Sequence, residues 1–273
     1  MRNRVTLISL LAGIALTVSV TQLHAQAARE EGHLLLATQV LEELSASPDT
    51  FIPDRLMQRA YGIAVVPDVT KVAFIAGGRR GKGVLVTRDK NGRFSNPVFI
   101  ALTGGSFGWQ YGVESTDIVL VFTTRTGIEG ITGGKVTLGG DASVAAGPVG
   151  RQASVATDSN FTAEVYSYSR TRGLFAGIAL DGTVLSIDRG ANALFYKKSG
   201  VTASEIMDGD VKTTDSTAQR FLAAVSASTG GTSSPASAPA AGAAAAPPPP
   251  PPPAAGDTKS FPMADPQPGT EPK

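Results

Sequence analysis

The 273-residue chain contains no cysteine. This excludes disulfides, a thiol nucleophile, cysteine-ligated metal and a lipid-modified cysteine behind an export signal. Histidine is nearly missing too, with His24 and His33 the two present. His24 falls in a predicted leader, residues 1–27, so a Ser-His-Asp triad would have to use His33, and a histidine-rich metal site is excluded. His33 stands beside Glu30 and Glu31 near the start of a predicted helix and reads as a solvated surface residue. A strong net charge is also absent. Removing residues 1–27 takes two arginines and no acids from 24 cations and 23 anions, leaving a net charge of −1. Such a chain has no bulk field to draw it to nucleic acid, so attraction to anions must come from local patches.

The ends of the chain have distinct compositions. Arg2 and Arg4, the mostly apolar run Val5–Val20 and the small residues Ala25-Gln26-Ala27 form the pattern of a secretory signal peptide over 1–27. The run is short of the ~20 residues needed to span a bilayer. The expected location is therefore periplasmic or secreted, after cleavage near Ala27. From 226 to 273 the chain is rich in Ala, Pro, Ser and Gly, with unbroken proline from Pro247 to Pro253. Consecutive prolines lack the N–H that helices and central strands require. The expectation is a disordered tail whose proline run is a stiff spacer.

Residues 28 to about 62 read as helical. Leu34, Leu36, Val40, Leu41 and Leu44 recur at helical spacing, with Leu35 widening the stripe and glutamates filling the other side. This predicts a helix from Ala28 to Ser45. A second lies after Pro53, over Asp54–Tyr61. The next apolar runs are short: Ile63–Val66, Val72–Ile75, Val84–Thr87, Pro97–Leu102, Asp117–Thr123, Ala163–Ser169, Leu174–Leu180 and Thr183–Ile187. Asn91-Gly92 and Asp181-Gly182 are hairpin signals, and the second marks the clearest hairpin of the chain. The fold class expected is α+β, a mainly antiparallel or barrel-like sheet with N-terminal helices packed on it, within 28–215.

The stretch FIAGGRRGKGVLV, Phe74 to Val86, tests whether a nucleotide is bound. A phosphate loop of the Walker type needs a glycine where Ala76 stands and a hydroxyl where Gly83 stands, and it must open a helix. The residues after Lys82, Gly83-Val84-Leu85-Val86-Thr87, are strand-like instead, so the glycines read as a hairpin turn carrying Arg79, Arg80 and Lys82. Arg88, Lys90 and Arg93 crowd the next turn. If the two turns lie at opposite ends of one hairpin, only one cation set can face a membrane.

Four blocks in order carry a family resemblance: IPDRLMQRAYGIAVVPDVTKVAFIAGGRRGKGVLVTRD, FSNPVFIALTGGSFGWQYGVESTDIVLVF, LGGDASVAAGPVGR and AEVYSYSRTRGLFAGIALDGTVLSIDRGANALFY. From Ile52 to Tyr196 the chain resembles the SYLF-domain family, also described as DUF500 or actin-regulator, in its exported bacterial type. The resemblance implies lipid binding. In eukaryotic members this means phosphoinositides, and some members also bind or bundle actin. Exported members look like general phospholipid binders. An exported protein would not meet cytoplasmic actin, so actin is not an expected partner.

The expected function is non-enzymatic binding of anionic phospholipid at a membrane surface, through the basic glycine-rich loop and nearby apolar groups. The residues assigned to it are Arg79, Arg80, Lys82, Arg170, Arg172, Phe107 and Trp109. Each cation near an anionic surface contributes about 1 kcal/mol, so several that converge decide attachment. The alternative is a structural or protein-interaction module of the cell envelope. Catalysis is not expected: Glu114, Asp117, Asp141, Asp181 and Asp188 form no recognisable acid–base or calcium spacing. No cofactor, metal or nucleic acid is expected.

Overall fold

The computed structural model describes residues 26–46, 52–89, 91–149, 161–171 and 174–230, with the side chains of 72–76 and 106–114 left out. Most of the predicted leader and nearly all of the predicted tail lie outside the described residues. The chain divides into units Met1–Ser234 and Pro235–Lys273, and every described residue belongs to the first.

Helix α1 spans 26–46. After it come α2 (Asp54–Gln58), β1 (Gly62–Thr87), β2 (Val98–Phe122), α3 (Thr126–Thr132), β3 (Lys135–Thr137) and β4 (Val144–Ala146). The chain continues through β5 (Val165–Thr171), β6 (Leu174–Gly177), β7 (Val184–Ile187), α4 (Arg189–Phe195), α5 (Ala203–Met207) and α6 (Ser216–Ser228). The fold is α+β, as expected. Among the described residues, seven strands form one sheet in the order β3-β7-β2-β5-β4, with β1 on β2 and β6 on β5. All pairs are antiparallel except β4 with β5.

The spine of the sheet is one very long hairpin. β1 and β2 pair from Gly62↔Phe122 to Leu85↔Val98, and Asp89–Gly92 turns the chain between them. Asn91-Gly92 is thus a true turn: Gly92 has φ +79°, and the Asp89 carboxylate accepts from the N–H groups of Asn91 and Arg93. The expected turn at Gly77–Gly83 is not there. Arg79 pairs with Gly104, Arg80 with Thr103 and Lys82 with Ala101, so this segment is mid-strand. A straight strand of 26 residues would run roughly 85 Å at ~3.3 Å per residue. The hairpin instead doubles over. A Cβ on Gly83 would lie 2.2 Å from the Val65 carbonyl oxygen, and one on Gly81 would lie 2.7 Å from a Val69 methyl. The glycines that resemble a turn are therefore the places where β1 meets its own first half. Register slips at Val66/Val69 and Ala73/Ile75 assist the bend.

Both faces of the curled sheet are buried. On one, Ile63, Val65, Val84, Val86, Val119 and Val121 pack beneath α1, α2 and α6. On the other, Ala64, Val66, Leu85, Ile100, Leu102 and Leu120 pack against residues of α3 and α5. This explains why runs such as DIVLVF are continuously apolar rather than alternating. Asn192 of α4 anchors that helix to β2: its Oδ1 accepts from the Phe99 N–H and its Nδ2 donates to the Phe99 carbonyl, at 2.9 and 3.0 Å.

Three expectations need correction. Leu34, Ala37, Val40, Leu41 and Leu44 of α1 are buried, but Leu35 and Leu36 are 45% and 40% exposed. The buried stripe is narrower than the apolar composition because α1 rests on a sheet that covers one side of it. Glu30 has gone the other way, to 4% exposed. The Asp181-Gly182 turn exists, with Gly182 at φ +72°, but it closes no hairpin. β6 pairs with β5 and β7 with β2 and β3, because Leu138 engages both arms of the turn: its carbonyl accepts from Gly182 N–H and its N–H donates to the Thr183 carbonyl. Finally, α6 carries the fold past residue 215, with Phe221 and Val225 buried against the sheet-covering helices.

Candidate anion-binding surface

The cations predicted to converge have different surroundings. Lys82 is engaged: its Nζ lies 2.7 Å from Asp188 Oδ2 and 4.0 Å from Glu30 Oε1, tying β1 to the start of α4 and to α1. Asp188 also caps α4 by accepting from the Ala191 N–H. Burial pushes the Asp188 carboxyl up, but the hydrogen bonds from Lys82 and the α4 backbone outweigh it and hold the group below its ordinary value. Glu30 is raised, mainly by burial, and its Oε2 has no hydrogen-bond partner. His33 is half-buried rather than solvated, and burial together with the charges of Lys82 and Arg29 lowers its pKa.

Arg170 is engaged more firmly. It is 15% exposed and binds Asp117, 13% exposed, at 2.7 Å, and it also pairs with Glu43 of α1. It is a strut between β5, β2 and α1. Arg172 and the side chains of Phe107 and Trp109 lie outside the described residues. The backbone places Phe107 opposite Ala76 on the doubled hairpin.

Arg79 and Arg80 differ from both. Neither has a carboxylate partner among the described residues. Arg80 is exposed; Arg79 is half-buried, and burial lowers its pKa. Both line an open depression of about 650 Å³ with Gly78, Gly104, Gly105 and Gly182. A second cleft, of about 340 Å³, contains Arg88 and Arg125, but Asp89, Glu129 and Asp208 share it. Of the two, the first is the one whose lining side chains carry positive charge alone. Among the described residues, no group of three or more His, Asp or Glu side chains is placed to hold a metal ion, and no helix is long and apolar enough to cross a membrane.

The sequence located Arg79 and Arg80 but not the rest of their surroundings. Gly104 reaches Arg79 through strand register, and Gly182 arrives from a distant turn. The one local signal was the run of glycines in β2. Acid partners such as Glu43 for Arg170, 127 residues away, had no sequence signal at all.

Residues 103–228 match the family described as Las17-binding protein actin regulator, Ysc84. Over those residues the chain is similar to the Ysc84 (SYLF) family. It is 36% identical over 181 residues to LAS seventeen-binding protein 3 of Saccharomyces cerevisiae, covering 65% of this chain and 39% of that one. It is 38% identical over 167 residues to Protein YSC84 of the same yeast, covering 60% and 35%. To SH3 domain-containing YSC84-like protein 1 of Homo sapiens it is 33% identical over 180 residues, covering 64% and 52%. The chain thus spans roughly a third to a half of the length of these relatives. The Ysc84 family description names regulation and binding rather than a reaction.

Proposed function

We propose that this protein is a non-enzymatic module that attaches to an anionic phospholipid surface through the Arg79–Arg80 segment of β1. The observation that carries this reading is the absence of any acid partner for these two arginines among the described residues, where Lys82 and Arg170 are neutralised. The sequence around them fits a membrane. Residues 72–78 and 102–113, which form the bend of the hairpin, contain no charged residue and include Phe74, Phe107, Trp109 and Tyr111. Aromatic side chains favour the bilayer interface, and cations beside them add electrostatic attraction to acidic lipid. The attachment element is a strand and its bend rather than a flexible loop. With the secretory pattern of residues 1–27, the surface would be one met after export.

The test is flotation of the purified protein with phosphatidylcholine vesicles containing phosphatidylglycerol at low salt. The expected result is co-flotation that Arg79→Gln/Arg80→Gln abolishes and Arg93→Gln preserves. Failure to float, or equal flotation of the double variant, overturns the proposal.

A second reading is protein binding. The relatives' names speak of Las17 binding and of SH3 domains, so the expectation that actin is no partner finds no support in them. Cosedimentation with filamentous actin tests this, and binding there that the double variant keeps would favour this reading over lipid.

A further inference from the structure

The open depression beside Arg80 has a floor of bare backbone. Successive strand residues point to opposite faces, so Arg80 shares a face with Lys82 and Arg79 points to the other. Strand register sets Arg80 opposite Thr103 and Thr103 opposite Val184, one row across three adjacent strands. The next row on that face is Gly78 opposite Gly105, and Gly182 lies alongside as the chain enters β7. Both rows line the depression of about 650 Å³, together with Thr70 from the first half of β1. Arg80, Thr103, Gly78, Gly105 and Gly182 are all exposed, so this floor is open to a ligand from solvent.

Packing does not account for two of these glycines. Gly81 and Gly83 are required, because a Cβ there would lie 2.7 Å and 2.2 Å from its nearest neighbour. Gly182 is required by its φ of +72°. A Cβ on Gly105 would meet nothing within 4 Å, one on Gly78 nothing nearer than 3.8 Å, and neither glycine has a positive φ. Glycine inside a strand weakens it, so a side chain at either position would fit and would stabilise β1 or β2. A strand glycine that packing does not require suits close approach of another group to the backbone. The charge beside the floor selects an anion. Arg80 has no carboxylate partner among the described residues, Thr70 and Thr103 add hydroxyls, and the lining contains no acid. Asp181, next to Gly182, is turned toward Gly139, where a Cβ would lie 2.5 Å from its Oδ1.

We infer that this depression seats the headgroup of a single anionic phospholipid, with its phosphodiester against Arg80 and Thr103 and its polar substituent on the Gly78–Gly105 floor. A phosphodiester has two unesterified oxygens that share one negative charge. One can accept from the planar guanidinium and the other from a hydroxyl. Its two ester arms leave in different directions. One covers the floor, and the other carries the acyl chains toward the uncharged, aromatic bend of the hairpin. The inference deepens the membrane reading and rests on it for the acyl chains. Charge alone gives adsorption to a surface, whereas the floor gives a seat that saturates with one molecule and that a side chain can block.

The experiment titrates the full chain with dihexanoyl phosphatidylglycerol dissolved as monomers, and with glycerophosphoglycerol, the same headgroup without acyl chains. Vesicle flotation runs in parallel. The wild type is expected to bind the short-chain lipid saturably, one molecule per chain, and to bind dihexanoyl phosphatidylcholine more weakly. Gly105→Val covers the floor and should abolish this binding while its Tm equals or exceeds that of the wild type, since a β-branched residue enters a strand with open space above it. Thr103→Val keeps the side-chain shape and removes the hydroxyl. It should lose about tenfold in affinity, the scale of one hydrogen bond to a charged group, and it decides the question if Gly105→Val folds poorly. Flotation without saturable binding of the short-chain lipid, equal binding of the phosphatidylcholine, or binding that both variants retain overturns the seat and leaves surface attachment standing. Binding of glycerophosphoglycerol that Gly105→Val or Thr103→Val loses, without flotation of the wild type, retains the headgroup seat and overturns the membrane. Neither soluble binding nor flotation overturns both.

Discussion

Residues 79–82 and 88–93 each bring a cluster of cations to the long hairpin, one within β1 and one in the turn at its end. In the turn, Arg93 pairs with Asp89 at 3.3 Å, while Arg88 donates to the Gln58 carbonyl and stacks 4.8 Å from the centre of the Phe94 ring. In the strand, Lys82 is neutralised by Asp188, but Arg79 and Arg80 face a glycine floor without an acid. The turn looks like the more accessible site, yet Arg93 is paired with Asp89 there and Arg88 is held by a carbonyl and a ring. The strand keeps positive charge in reserve. Accessibility and availability are thus separate properties, and the second depends on which carboxylates the fold brings near.

The contrast is tested most severely at the glycines. Gly83→Ala drives a Cβ into the Val65 carbonyl region and should cost about 3 kcal/mol or more in urea denaturation. Gly78→Ala, whose Cβ would meet nothing nearer than 3.8 Å, should be close to neutral. Equal effects would mean that β1 does not double on itself.

Arg170→Met should be nearly as damaging. It leaves the Asp117 carboxylate largely buried without its partner, a loss of about 3 kcal/mol by analogy with broken buried pairs. At temperatures where the variant stays folded, its vesicle binding should match the wild type. A stable Arg170→Met that no longer floats would place Arg170 at the lipid surface after all.

Next in size is the double variant Arg79→Gln/Arg80→Gln. Two cations at about 1 kcal/mol each predict a roughly thirtyfold loss of affinity for acidic vesicles. Arg93→Gln should bind as the wild type does, which calibrates strand against turn by direct titration.

The smallest effect concerns the paired side of the strand. Burial raises the Glu30 carboxyl above its ordinary value near 4.5 despite the pull of Lys82. The folded state holds a proton that the unfolded chain releases. This group's stability contribution is therefore full below about pH 4.5 and declines as pH rises through the raised folded value. Asp188 acts in the opposite sense, contributing above its ordinary value of 3.8 and losing that contribution as pH falls. Glu30→Gln should flatten the decline and leave the Asp188 behaviour intact, visible as a higher Tm than wild type near neutrality. A lower Tm there would mean that the Lys82 attraction outweighs the cost of burial.

Part of this architecture was legible in the residues. The α1 stripe at Leu34, Val40, Leu41 and Leu44 is buried because a helix on a sheet must hide one face. The turn glycines Gly92 and Gly182 were legible from short dipeptides whose backbone preference is local. Gly77 to Gly83 misled because glycine in a strand and glycine in a turn look alike until the close approach of another chain segment is known. β6 and β7 misled because strand partners are chosen by non-local ladder bonds, here with Leu138 beside the turn. The site was legible as a pair of arginines and no further.

Chain order alone was enough for the class of the fold, the helix stripe, the true turns and the exclusion of cysteine and histidine-rich chemistry. These depend on composition, periodicity and local backbone preference, which act over a few residues. Folding in three dimensions was needed to make the glycine-rich stretch a strand and to bind Lys82 and Arg170 to acids while leaving Arg79 and Arg80 without them. Those outcomes depend on which distant residues the doubled hairpin brings within a few ångströms, and electrostatic pairing falls off too steeply with distance for chain order to encode it.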